Sequence, residues 1–175
     1  MVVLTLEVGA GPLPNVSRKS FSVIRSSKFL VFSYFRCSLL IENMTAIIIE
    51  DEALAVRELE NILKEIAPEM EILACLDSVR GSVEWLKLHQ TDLIFSDIHL
   101  GDGQSFEIFR QVDIKAPVIF ITAYDEYAIE AFKHQGIGYI LKPFDKEEIR
   151  EALDKVKLLT LVHHVDQLVG MIQLH

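Results

Sequence analysis

The sequence predicts an α/β fold of five βα units, a doubly wound parallel sheet with helices on both faces, and three observations predict it. Short apolar runs, each the length of a buried strand, recur between Ala46 and Leu141. The stretches between them repeat apolar residues at helical spacing. Several runs end in a charged or hydroxylated residue: Glu50-Asp51, Asp97, Thr122 and Lys142. Strands that share a direction bring their C-terminal ends to one edge, where open parallel sheets place their sites.

The elements follow in order. Strand one is Ala46 to Asp51. The helix after it covers about 52–67 and sets Val56, Leu59, Ile62, Leu63 and Ile66 on one face, and Pro68 stops it. Strand two is Glu71 to Leu76, with Cys75 as a small core residue. Ser78 caps a second helix carrying Val79, Val83, Leu86 and Leu88, with Trp85 in a packing role. Strand three is Leu93 to Asp97, and Gly101-Asp102-Gly103 makes the turn into a third helix over about 105–112. Strand four is Val118 to Thr122. The fourth helix covers about 126–134 and ends in a turn containing Gly136. Strand five is Tyr139 to Leu141. Asp145 caps a fifth helix, whose first turn holds Glu147 and Glu148, where the helix dipole favours acids. No internal repeat appears.

The chain has 175 residues, half of them hydrophobic, enough for a full core. Residues 1–43 carry Arg18, Lys19, Arg25, Lys28 and Arg36 against Glu7 and Glu42, a net +3, so −12 of the overall −9 falls on the remainder. An acidic domain repels nucleic-acid phosphates, and no DNA binding by this chain alone is expected. The Ser-rich basic stretch 17–27 and the apolar 29–41, interrupted by Arg36, differ from everything after Met44. The apolar part is too short for a bilayer span, so no membrane association is expected. Residues 1–43 are read as a non-conforming N-terminal extension, disordered or not native, with an anchor or targeting segment as the alternative and Met44 as the natural start. The division is then 1–43, a domain at 44–160, and a C-terminal tail or truncated linker at 161–175. Cys37 and Cys75 form no framework and read as free thiols of a cytoplasmic protein.

The residues at the strand ends compose a chemical set. Glu50, Asp51 and Asp97 supply carboxylates, Thr122 a hydroxyl and Lys142 an ammonium. Mg²⁺ takes oxygen ligands, and a metal relieves the repulsion among packed acids. Phosphoryl transfer asks for positioning and charge neutralisation more than covalent help. The set therefore suits Mg²⁺ and a phosphoryl group. Acids at 51 and 52 also suit a helix start, Asp97 a turn, and Thr122 an ordinary strand; their co-occurrence with Lys142-Pro143 favours the site. That peptide bond is expected to be cis, because the chain must turn sharply to leave the ammonium over the site. His163, His164 and His175 have no partner acids or cysteines at ligand spacing.

With these motifs in place, residues 45–160 resemble a response-regulator receiver domain of bacterial two-component signalling. Phe120-Ile-Thr-Ala-Tyr-Asp-Glu-Tyr-Ala-Ile-Glu-Ala-Phe132 and Tyr139-Ile-Leu-Lys-Pro-Phe144 are similar to the LytTR subgroup of LytR/AlgR-like regulators. The resemblance implies a flavodoxin-like fold with strand order 2-1-3-4-5. It implies that Asp97 accepts a phosphoryl group from a sensor histidine kinase, with self-catalysed dephosphorylation and no other enzyme activity. It implies Asp51 and Asp97 as direct Mg²⁺ ligands, Glu50 acting through water, and the His99 backbone carbonyl as a further ligand. Thr122 matches the hydroxyl that closes on the phosphoryl oxygen, Lys142 the lysine that pairs with it, and Tyr139 the switch aromatic. His99 and Tyr124 match positions that tune phosphoryl lifetime. Dimerisation on the helix 4–strand 5–helix 5 face is implied as well.

The loop after Asp97 departs from the common pattern, reading Ile-His-Leu-Gly-Asp-Gly without proline, and Gly138 stands where the subgroup often has Asp. LytTR regulators control transcription through a C-terminal DNA-binding domain, which the segment after the fifth helix is too short to hold. The alternative reading is a stand-alone or degenerate receiver serving as a dimerisation module. A nucleotide-binding enzyme is excluded because Glu50-Asp51-Glu52-Ala53-Leu54 lacks phosphate-cradling glycines. A haloacid-dehalogenase-like phosphatase would need Asp where His99 stands.

Overall fold

The computed structural model describes residues 44–172. The expectations for residues 1–43 and for His175 fall outside what it describes, as do those for the side chains of His163 and His164. Five parallel strands, β1 (Thr45–Ile49), β2 (Glu71–Leu76), β3 (Leu93–Ser96), β4 (Val118–Thr122) and β5 (Gly136–Leu141), form one sheet in the order β2-β1-β3-β4-β5. Between and after them run α1 (Ala53–Ile66), α2 (Val79–Leu86), α3 (Phe106–Gln111), α4 (Ala128–Lys133) and α5 (Lys146–Ile172). This is the flavodoxin-like (βα)5 arrangement expected from the sequence.

The central strands read as unbroken apolar runs because both faces are covered. Side chains alternate across a strand, so each run serves two cores. Ala46, Ile48, Leu93, Phe95, Ile119 and Ile121 pack with Leu59 and Leu63 of α1 and Ile149, Leu153 and Val156 of α5. Ile47, Ile49, Ile94, Val118 and Phe120 pack with Val79 and Val83 of α2, Phe106 and Ile108 of α3, and Ala131 of α4. Because β1 lies between β2 and β3, the chain leaves β1 and β3 toward opposite sides of the sheet. The crevice at such a reversal, beyond the C-terminal ends of the strands, is where ligands bind in open α/β sheets.

Local chemistry fixes the helix ends. Asp145 Oδ1 accepts from the backbone N–H of Glu147 (2.8 Å) and Glu148 (3.0 Å), while Glu148 returns a carboxylate to the Asp145 N–H (3.0 Å). This is a reciprocal capping box for α5. At α2, Ser78 Oγ accepts from the Gly81 N–H (3.3 Å).

Several local expectations are corrected. Cys75 is exposed, because β2 is an edge strand whose residues alternate half-buried and exposed. Leu88 is 81% exposed, because α2 ends at Leu86. Gly136 starts β5 and does not make the turn. The left-handed residue there is Gln135 (φ 60°). Gly136 answers to space instead, since a Cβ on it would lie 2.5 Å from the Ala131 carbonyl oxygen. The last helix does not stop near 160 but continues to Ile172.

Candidate functional site

The ends of β1, β3 and β5 bring Glu50, Asp97 and Lys142 into direct contact. Lys142 Nζ lies 2.7 Å from Asp97 Oδ2 and 2.7 Å from Glu50 Oε2, with Glu52 Oε2 at 3.5 Å. Glu50 and Asp97 are 7% and 8% exposed, so water screens this cluster poorly. The second Asp97 oxygen, Oδ1, accepts from the backbone N–H of Ile98 (2.5 Å) and His99 (3.3 Å). The Lys142-Pro143 peptide bond is cis, as expected.

The charges respond to this burial. Burial pushes the Glu50 carboxyl above the usual glutamate range, with Lys142 opposing through a hydrogen bond and its charge. Burial works to lower the Lys142 ammonium, but Asp97 and Glu50 outweigh it and hold that pKa above the usual lysine value. Neighbouring opposite charge and desolvation act in opposite senses on each group.

Thr122 ends β4 beside this cluster, and its carbonyl accepts from the Lys142 N–H at 2.8 Å. The Thr122 side chain is fully buried, and its Oγ1 has no hydrogen-bond partner among the described residues. Buried hydroxyls are normally satisfied, so this one is an unfilled donor at the strand ends. Asp51 is exposed and joins no ion pair with Lys142; its Oδ2 lies 3.5 Å from where a Cβ on Gly101 would stand, alongside the loop that carries His99. The His99 ring packs on Tyr124 and Tyr127, with ring centroids at 4.3 and 5.2 Å. Tyr139 is half-buried, and its hydroxyl donates to the Tyr124 carbonyl.

Sequence reasoning missed two residues. The sequence suggests a helix start at Glu52; it is the N-cap of α1 but makes no side-chain cap, and its carboxylate turns to Lys142. Asp102 was read as part of a turn, yet its carboxylate accepts from the N–H groups of Val79 (2.7 Å) and Arg80 (3.1 Å) at the start of α2. No local signal announces a contact spanning 23 residues.

The donor set fits a hard divalent cation. Among the described residues no three His, Cys, Asp or Glu side chains form a ready-made metal cage. Mg²⁺ does not require one, since it keeps several waters and is held by one or two carboxylates. One ammonium faces Glu50, Glu52 and Asp97, with Asp51 next in sequence, and this excess of negative charge is what a dication offsets.

The response regulator receiver domain family matches residues 46–154, and the chain belongs to that family. It is a signalling module of two-component systems and not a classical enzyme; receiver domains typically depend on Mg²⁺ and answer to a histidine kinase. Over 117 residues the chain is 38% identical to the sensory transduction protein LytT of Bacillus anthracis and 40% identical to the transcriptional regulatory protein LytR of Staphylococcus aureus. Each match covers 65% of this chain and 47% of the relative, so the chain spans about half the length of the curated relatives it matches. Among solved structures it is similar to the response regulatory domain of mrkE from Klebsiella pneumoniae, with a TM-score of 0.61 and 33% identity, over 66% of this chain and 97% of that one. Among the described residues no helix is long and apolar enough to cross a membrane.

Proposed function

We propose that Asp97 accepts a phosphoryl group from the phosphohistidine of a sensor kinase, and that this drives a conformational switch. The observation that carries the reading is the Asp97–Lys142 contact at 2.7 Å beside the buried hydroxyl of Thr122, which has no partner among the described residues. An Asp97 carboxylate oxygen attacks phosphorus, an O–P bond forms, and the P–N bond to the kinase imidazole breaks. Mg²⁺, when bound, neutralises charge on the phosphoryl oxygens. Asp51, Asp97, the His99 backbone carbonyl and Glu50 are the groups that would hold it. Lys142, already against Asp97, pairs with the incoming phosphoryl oxygens. Thr122 donates its free O–H to the same group.

That new bond is the start of the switch. A phosphoryl group adds about −1.5 to −2 charges and strong acceptors. As the Thr122 hydroxyl closes on it, Tyr139 gives up its bond to the Tyr124 carbonyl and turns inward, a discrete repacking of the kind switches use. The face built from α4, β5 and α5 then pairs two copies. Ile129 (76% exposed) and Leu141 (43% exposed) give it apolar surface. The printed name of the Staphylococcus aureus relative, transcriptional regulatory protein LytR, supports an output in transcription, in the cytoplasm.

The test is a Phos-tag gel after incubation with acetyl phosphate and Mg²⁺. The wild type should shift to a single slower band, and Asp97→Asn should not shift. Equal labelling of the two proteins overturns the assignment.

A further inference from the structure

We propose that Asp102 is a positioning residue for the site, tying the loop after Asp97 to the N-terminus of α2. The inference rests on the reading that Asp97 is the acceptor and that the His99 carbonyl serves its metal. The loop is a closed hairpin. Ile98 O accepts from the Ser105 N–H at 2.8 Å, and His99 and Leu100 pair antiparallel with Gln104 and Gly103. At its near end the Ile98 and His99 N–H groups hold Asp97 Oδ1. At its far end Asp102 takes two N–H groups of α2, Val79 and Arg80, and Gly103 supplies the turn with a φ of 152° that other residues rarely adopt.

Every N–H in the first turn of α2 is thereby accounted for. Asp102 takes those of Val79 and Arg80, the Ser78 side chain takes that of Gly81, and the Ser78 carbonyl takes that of Ser82. Helix starts leave such donors open, and an acidic side chain answers them with charge-assisted bonds. The helix is itself anchored in the core by Val79, Val83 and Leu86. The tether therefore runs from a fixed helix, through Asp102, along the hairpin, to the backbone that holds Asp97. It supplies rigidity to a loop without proline.

The experiment compares the full chain with Asp102→Ala, Asp102→Asn and Ser78→Ala. Ser78→Ala removes the other side-chain cap of the same helix without touching the hairpin. Amide hydrogen exchange over residues 98–105 is read without Mg²⁺, and the Mg²⁺ concentration for half-maximal acetyl-phosphate labelling is read separately. Asp102→Ala should lose protection at the hairpin amides and raise that concentration roughly tenfold, as loss of supporting partners does at metal sites. Asp102→Asn keeps an acceptor oxygen and should fall between. Ser78→Ala should leave both readouts in place. Unchanged hairpin protection or an unchanged Mg²⁺ requirement in Asp102→Ala overturns the inference, as does an equal effect of Ser78→Ala. A wild type that takes no label at any Mg²⁺ concentration overturns the reading of Asp97, and the positioning role with it.

Discussion

Lys142 reaches Asp97 across the end of an intervening strand: its Nζ lies 2.7 Å from Asp97 Oδ2, although β4 separates β5 from β3 in the sheet. The same ammonium holds Glu50, so one cation joins two nearly buried acids. Such an arrangement is poor value for stability, because desolvation offsets much of the attraction. It is well suited to a site that trades protein charges for a metal and a phosphoryl group.

Glu50 is where that strain shows. Its folded pKa lies above the ordinary glutamate value, chiefly through burial. The folded state therefore keeps the proton longer, and stability falls as pH rises from the ordinary value through the folded one. Glu50→Gln should be more stable than the wild type by roughly 0.5–2 kcal/mol at neutral pH, as when a functional strain is relieved. The gap should open across that pH window and be absent below it. Urea unfolding without Mg²⁺ at stepped pH measures it; a variant less stable than the wild type at neutral pH contradicts the account.

Thr122→Val removes a buried hydroxyl that has no partner among the described residues while keeping the shape of the side chain. Its stability should stay within about 1 kcal/mol of the wild type or rise, because no hydrogen bond is lost. With beryllofluoride and Mg²⁺, the amide shifts of α4 and β5 should move far less than in the wild type. A loss of several kcal/mol would reveal a bond that the hydroxyl makes, and full-sized shifts would remove Thr122 from the switch.

Asp102 has its pKa held below the usual aspartate range, first by the Val79 N–H and then by that of Arg80. Its contribution is complete above the ordinary aspartate value and is lost as pH falls through the folded value. Asp102→Ala should cost about 1 kcal/mol at neutral pH, the usual worth of a helix cap. That deficit should shrink toward zero in acid. Unfolding midpoints from neutral to acid pH check this, and a deficit independent of pH would rule out the carboxylate as its source.

The sequence shows the strand-end residues plainly because buried parallel strands are apolar throughout, so each polar residue that closes a run stands out. Asp97, Thr122 and Lys142 were legible for that reason, and strand direction alone brings them to one edge. Cys75 was misread because an edge strand has the same composition as a central one. The end of α5 differs from the expectation because no proline or glycine interrupts the helix before Gly170; among the described side chains its last buried core residue is Val156, and Leu158 and Leu159 are exposed. The Asp102 tether was illegible because its partners are backbone N–H groups, which carry no residue identity.

The most direct measurement is to map the modified residue. After acetyl phosphate and Mg²⁺, borohydride reduces an aspartyl phosphate to homoserine, which peptide mass spectrometry locates. Homoserine is expected at position 97 and nowhere else, with none in Asp97→Asn. Homoserine at position 51, or none anywhere in a wild type that still binds Mg²⁺, would contradict it.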